Sequence, residues 1–282
     1  MVENRPLLKL FAHLVLILGV VILAFPVWLT FVASTRDTAE IVTGAMPLWP
    51  GDRAFENYAA AWSEGAARTS SQPVAAMMWN SLVMALVIAI GKIVISITSA
   101  YAVVFFRFPG RMLFFWLIFI TLMLPVEVRI FPTYKVVADL GMIDSFAGLT
   151  VPLIASATAT LLFRQFFLTI PPELVEAAKI DGAGPLRFFK DVMLPLSVTN
   201  IAALFVILFI YGWNQYLWPL LITNSKSMDT IVIGIKKMVV MADAQTEWGV
   251  VMATTMLAML PPVLVVVLMQ RLFVKGLVES EK

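Results

Sequence analysis

Few side chains in this 282-residue sequence are of a type that does chemistry, so their placement carries the argument. His13 is the only histidine and cysteine is absent, which removes histidine- and thiolate-based metal sites, disulfides and the usual catalytic partners. No Gly-x4-Gly-Lys-Ser/Thr phosphate loop occurs, because Gly91-Lys92 stands inside an apolar stretch without the other glycine. No nucleophile lies in a cluster with an acid–base pair, so neither a catalytic nor a metal centre is expected. Lys92 itself is the conspicuous group. An ammonium at the centre of a bilayer costs at least about 2.5–3.5 kcal/mol, so it must face a helix bundle or a water-filled cavity. There it can attract an anionic substrate, pair with a carbonyl or an acid on a companion subunit, or snorkel if the segment is shifted. Glu127 and Arg129 follow Pro125 near the end of another apolar stretch, where they line an outer gate or pair with neighbours. Trp213, Asn214 and Gln215 interrupt a further apolar stretch. They serve either as substrate contacts or as hydrogen-bonding groups between helices.

A second group of informative residues lies in a polar segment, 169–197. Pro171-Pro172 and Pro185 stand at first-turn positions, and Gly182 and Gly184 offer the left-handed conformations of a turn. Pro195 closes the segment, which therefore reads as helix, turn, helix. Ala177 and Ala178 leave the first helix thin enough for close approach. Leu186, Phe189 and Met193 recur at spacings of three and four, a stripe suited to a hydrophobic groove. The spacing alone also fits an amphipathic helix lying on the membrane, with Glu176 a solvated charge.

These groups must be positioned in lipid. The chain is 61% hydrophobic and 13% charged, with a mean hydropathy of +0.92, against about 45–50% and 25% in a soluble domain. The net charge of +2 and the lack of a basic tract exclude nucleic acid as a partner. Six segments have the roughly 20 apolar residues of a membrane span: Leu10–Val32, Ser81–Phe105, Leu113–Phe131, Phe146–Phe167, Val198–Ile222 and Val250–Phe273. The first exceeds the length of a signal-peptide core and lacks a small-x-small site, so it reads as an uncleaved helix. Arg107 and Arg111, then Arg164, Lys179, Arg187 and Lys190, then Arg271, Lys275 and Lys282 fall on the side of Arg5 and Lys9. Both termini are therefore expected in the cytoplasm. The expectation is an all-α, multi-pass inner-membrane protein built as one domain, 1–282. It has outer loops at 33–80 and 223–249 and an inner loop at 169–197. Internal repeats and low-complexity segments are absent from the sequence.

The inner loop also carries a resemblance. Glu176-Ala177-Ala178, Gly182, Val192 and Leu194-Pro195 match Glu-Ala-Ala-x3-Gly-x9-Ile-x-Leu-Pro, the signature of ABC-importer permeases, with Val192 in place of Ile. Glu56-Asn57-Tyr58 with Trp62, Asn80-Ser81-Leu82, Arg107-Phe-Pro-Gly-Arg111, Leu140-Gly-Met-Ile-Asp144 and Trp213-Asn214 with Pro219-Leu220 resemble the maltose-type carbohydrate branch. Met123 to Pro132 and Tyr211 to Pro219 are more similar still to membrane subunits of bacterial sn-glycerol-3-phosphate importers.

The resemblance implies a type I ABC-importer transmembrane domain that passes sn-glycerol-3-phosphate, with glycerophosphodiesters as a further candidate cargo, across the bacterial inner membrane. It implies that Glu176, Ala177, Ala178, Asp181, Gly182, Leu194 and Pro195 couple the chain to an ATPase subunit. It further implies a second permease, an ATPase homodimer and a periplasmic binding protein, which Lys236 and Asp243 in the 223–249 loop would meet. This chain would bind no cofactor, ATP and Mg being held by the ATPase. Gln270 to Leu277 match the family, but Val-Glu-Ser-Glu-Lys follows instead of a Gly-rich tail, so the tail's role stays open. Two readings compete: a permease for a neutral sugar or polyol, and a secondary transporter. The latter would need charged relays and usually inverted repeats.

Overall fold

The computed structural model describes residues 6–43, 46–65, 72–124, 126–240 and 246–279. Among them the ordered backbone is helical, with no strand. Helix α1 spans Pro6–Ser34, followed by the short α2 (Thr38–Val42) and α3 (Ala54–Ser63). Then come α4 (Val74–Phe105), α5 (Arg111–Met123), α6 (Val126–Asp139), α7 (Phe146–Thr150) and α8 (Ala157–Leu168). The polar segment holds α9 (Pro172–Ile180), α10 (Pro185–Phe188) and α11 (Leu194–Leu196). Last are α12 (Val198–Trp213), α13 (Leu217–Ile222), α14 (Ile231–Val240) and α15 (Trp248–Glu279).

Three helices are long and apolar enough to cross a membrane: Leu7–Ser34, Val74–Phe105 and Trp248–Leu272. Two bent pairs join them if each counts as one crossing, Phe146–Leu153 with Ala157–Leu168 (44°) and Pro185–Leu196 with Val198–Trp213 (70°). At 32 residues, α4 is about 48 Å long against a hydrocarbon core of about 30 Å. It begins seven residues before the expected Ser81, because the apolar run extends into the loop.

Three expected spans are not continuous helices, Phe146–Phe167 being the first of the bent pairs just described. The stretch Leu113–Phe131 breaks after α5: Leu124 is extended at φ −82°, ψ 116°, as the residue before a proline is pushed to be. The chain restarts as α6, which runs past Phe131 to Asp139. The stretch Val198–Ile222 breaks after Trp213, with Asn214 as the cap of α12 and α13 beginning at Leu217. The segments expected as loops also contain helix: α2 and α3 lie within 33–80, and α14 lies within 223–249.

The chain packs as two compact units, Met1–Ala76 with Gly234–Leu260, and Met77–Ile233 with Pro261–Lys282. In the first, Asn57 ties α3 to the end of α1. Its side-chain amide donates to the carbonyls of Ser34 and Arg36, both at 2.9 Å. Gly249 sits against the same knot, where a Cβ would lie 2.6 Å from the Arg36 carbonyl oxygen. Trp28 Nε1 donates to Leu48 O at 3.0 Å and pins the intervening chain.

In the second unit, α4, α6, α7 and α13 bury a core of Met84, Ile88, Ile130, Val137, Leu149, Trp218 and Ile222. Within a bilayer, packing rather than water exclusion holds helices together, and small residues let backbones approach. Gly212 of α12 is such a residue: a Cβ there would lie 2.8 Å from Ala85 Cα on α4. Asn80 and Ser81 fasten the chain after α13. Asn80 donates to the carbonyls of Ser227 and Asp229 at 2.8 and 3.0 Å, and the Ser81 hydroxyl accepts from the Ile231 amide at 2.8 Å.

Candidate functional site

Lys92 lies midway along α4 and is 7% exposed. Its neighbours are set by the core just described: Ile130 and Trp218 belong both to that core and to the wall of a cavity of about 140 Å³. Lys92, Arg129, Thr133, Tyr211 and Gln215 supply the polar part of the lining. The ammonium of Lys92 sits over the Tyr211 ring, 4.0 Å from its centroid, a cation–π contact that stabilises it without supplying a negative charge. Arg129, one turn before Thr133 on α6, lines the same cavity. Among the described residues no carboxylate lines the cavity, and neither cation is in an ion pair. Two cations, one buried and one exposed, thus line one concave space. In a low effective dielectric their repulsion is relieved best by an anion between them.

The expected roles are redistributed by this geometry. Arg129 lines the same cavity as Lys92, on the helix that restarts after the break at Leu124. The side chain of Glu127 lies outside the described residues. Of the Trp213-Asn214-Gln215 group only Gln215 reaches the cavity, its amide nitrogen donating to Tyr211 O at 3.1 Å. Trp213 is buried and stacks on Phe209 with ring centroids 5.9 Å apart, whereas Asn214 is an exposed helix cap. Tyr211 and Thr133 were not singled out as site residues by the sequence reading. The signal available for Tyr211 was its place in the Tyr211 to Pro219 stretch.

The second constellation is the turn between α9 and α10. Asp181 caps α9, and Gly182 adopts φ +69°. Its amide donates to Lys179 O at 3.1 Å, and the Ala183 amide donates to Ala178 O at 2.8 Å. This pair of bonds is the Schellman closure of a helix, in which the left-handed residue follows the third-last helical residue by four. The spacing from Ala178 to Gly182 is that requirement. Gly184 lies at φ −69°, so the left-handed freedom expected of both glycines is used by Gly182 alone.

Ala178 and Ala183 are small because they border a cleft of about 190 Å³ walled by Tyr101, Phe105, Phe106 and Phe188. Tyr101, near the end of α4, donates its hydroxyl to Pro185 O at 2.8 Å. Its ring lies 4.8 Å from that of Phe189 and 5.1 Å from that of Phe105. The expected stripe of Leu186, Phe189 and Met193 is therefore divided. Met193 is fully buried and Phe189 packs on Tyr101, while Leu186 is 83% exposed. Ile180, on the other side of the turn, is 85% exposed and completes the apolar tip. Glu176 and Ala177 are exposed on α9.

Beyond α10 the helix widens to a π turn at Phe189–Met193, with the Leu194 amide bonded to Phe189 O. Pro195 has no N–H, and its ring clashes with the carbonyl four residues back in a regular helix. The wider turn accommodates it, so Pro195 lies within the segment instead of ending it. Ser197, fully buried, ends the helix with its amide on Met193 O at 3.0 Å and its hydroxyl on the same atom at 2.6 Å.

Lys236 is exposed on α14, a helix rather than the loop expected there. Asp243 lies outside the described residues.

Comparison with known proteins gives concordant results. Residues 92–279 match the family described as binding-protein-dependent transport system inner membrane component. Proteins named sn-glycerol-3-phosphate transport system permease protein UgpE from Brucella melitensis and Rhizobium meliloti are each 64% identical over 282 residues, all of both chains. A protein of that name from Yersinia pestis is 58% identical over the same full length. Among solved structures, a bacterial ABC transporter involved in the import of the acidic polysaccharide alginate superposes with a TM-score of 0.81. The match covers 96% of this chain and 98% of that one at 20% identity, a likeness of fold. The chain belongs to the family of binding-protein-dependent transport system inner membrane components.

Proposed function

We propose that this chain is a permease subunit of an ATP-driven importer that moves sn-glycerol-3-phosphate across the bacterial inner membrane. The observation that carries the reading is the full-length identity of 58–64% to permeases named for that substrate in several bacteria. The paired cations of the Lys92 cavity agree with a phosphate ester and give a neutral sugar or polyol no comparable advantage. A secondary transporter would have no use for the closed, apolar-tipped turn at Gly182.

On this reading the chain crosses the membrane six times. The three long helices, the two bent pairs and the short apolar Arg111–Thr121 make the crossings, and both termini lie in the cytoplasm. The turn flanked by Ile180 and Leu186 faces an ATPase dimer, with Glu176, Ala177, Ala178, Asp181, Gly182, Leu194 and Pro195 building it. A second permease completes the pathway, and a periplasmic binding protein delivers substrate near α14. ATP and Mg are bound by the ATPase and not by this chain. Affinity purification of the tagged chain in mild detergent should recover one further permease, one ATPase species and, with substrate added, a binding protein. Purification of the intact chain as a stable assembly lacking any ATPase would contradict the importer reading.

A further inference from the structure

The two cations of the α4–α6 cavity have no counter-charge among the described residues, although the buried Lys92 is costly to hold there. A purely architectural Lys92 would be expected to sit on a carboxylate or a set of carbonyls. It sits instead on the π face of Tyr211, which leaves its N–H groups free to meet something else. Arg129, on the next wall, presents a guanidinium whose planar donors match phosphoryl oxygens. Thr133 and Gln215 add neutral polar groups at the same lining. The space, about 140 Å³, far exceeds the roughly 10–15 Å³ that one water needs.

We infer that Lys92 and Arg129 form a phosphoryl-binding subsite on this chain, with Tyr211 the residue that holds the Lys92 ammonium in position. The inference rests on the reading of the chain as a permease for a phosphate ester and goes beyond it in two ways. This subunit itself contacts the substrate, and it takes the charged end. Any phosphomonoester of small size fits the same chemistry, so selection among phosphate esters lies elsewhere.

The test uses the complete importer in proteoliposomes with its binding protein, reading initial uptake of labelled sn-glycerol-3-phosphate per assembled complex. A hydrogen-bonded charge contact to the anion is strong enough that Lys92→Met and Arg129→Gln should each lower uptake about tenfold or more. Lys92→Arg and Arg129→Lys should restore most of it, a rescue that a packing role would not produce. Tyr211→Phe keeps the ring and should retain uptake, whereas Tyr211→Leu should lose about threefold or more. Arg129 is exposed, so Arg129→Gln decides the matter if Lys92→Met fails to assemble. Wild-type uptake in Arg129→Gln overturns the subsite while leaving the importer reading intact. A wild-type complex that drives uptake of other solutes but not of sn-glycerol-3-phosphate overturns that reading, and the subsite with it.

Discussion

Gly182 concentrates the case for coupling into one backbone angle. Nothing lies within 4 Å of where its Cβ would be, so a larger side chain meets no obstacle there. The obstacle is φ +69°, which costs an ordinary L-residue roughly 1–2 kcal/mol and a β-branched one more. Gly182→Val should open the two closing bonds to Ala178 and Lys179, misplace Ile180 and Leu186, and cut transport at least fivefold in an assembled complex. Gly182→Asn, which tolerates the left-handed region, should do markedly less. Equal uptake by wild type and Gly182→Val at matched assembly would remove the docking role of the turn. At this scale the sequence was partly legible. The spacing from Ala178 to Gly182 announces a helix closure, and Lys92 announces a cavity. That Arg129 shares that cavity, and that Tyr211 supports Lys92, depends on which faces α6 and α12 turn inward. An uninterrupted apolar stretch does not encode that.

Among elements, the expected spans erred where proline or a polar cluster divided an apolar run. Hydropathy sums over a window and cannot see that Leu124 must be extended before Pro125, or that α12 stops at Trp213. The same blindness hid α14 in a segment read as a loop. The join between α6 and α7 illustrates how such breaks are stabilised. Asp144, at φ +58°, accepts the amides of Asn224 and Ser225 at 3.1 and 3.0 Å and so fastens α7 to the end of α13. Hydrogen bonding by Ser225, through its side chain and then its amide, holds the Asp144 carboxyl below the usual carboxylate range. A depressed folded value means the anchor contributes fully above the unfolded pKa of about 3.9 and is lost as pH falls through the folded value. Asp144→Ala should therefore lower the melting temperature of the detergent-purified chain near neutral pH, by a few degrees at most for a single half-buried group. Its difference from wild type should shrink as the pH is taken below 4. A deficit that stays constant, or grows, on acidification would show that the carboxylate is not the anchor.

For the whole molecule, composition was the most legible feature. With 61% hydrophobic residues and apolar side chains such as Leu7, Phe11, Ile17 and Leu23 on α1 more than half exposed, the surface calls for lipid. The sequence carries no Gly-x4-Gly-Lys-Ser/Thr phosphate loop, and on the proposed reading the energy for uphill movement comes from a partner. The turn at Gly182 and the cavity at Lys92 are the two places where that energy and the cargo would meet this chain. α4 runs from one to the other, with Lys92 in its middle and Tyr101 bonded to Pro185 near its end. The proposed activity is ATP-driven passage of a phosphate ester through a complex containing this chain. Its most direct measurement is uptake of labelled sn-glycerol-3-phosphate into proteoliposomes holding the complete importer and its binding protein, with ATP or a non-hydrolysable analogue inside or outside as orientation requires. Uptake is expected with ATP, none with the analogue, and no inhibition by excess glycerol. Uptake that proceeds without ATP hydrolysis, or that favours a neutral polyol over the phosphate ester, would contradict the proposed activity.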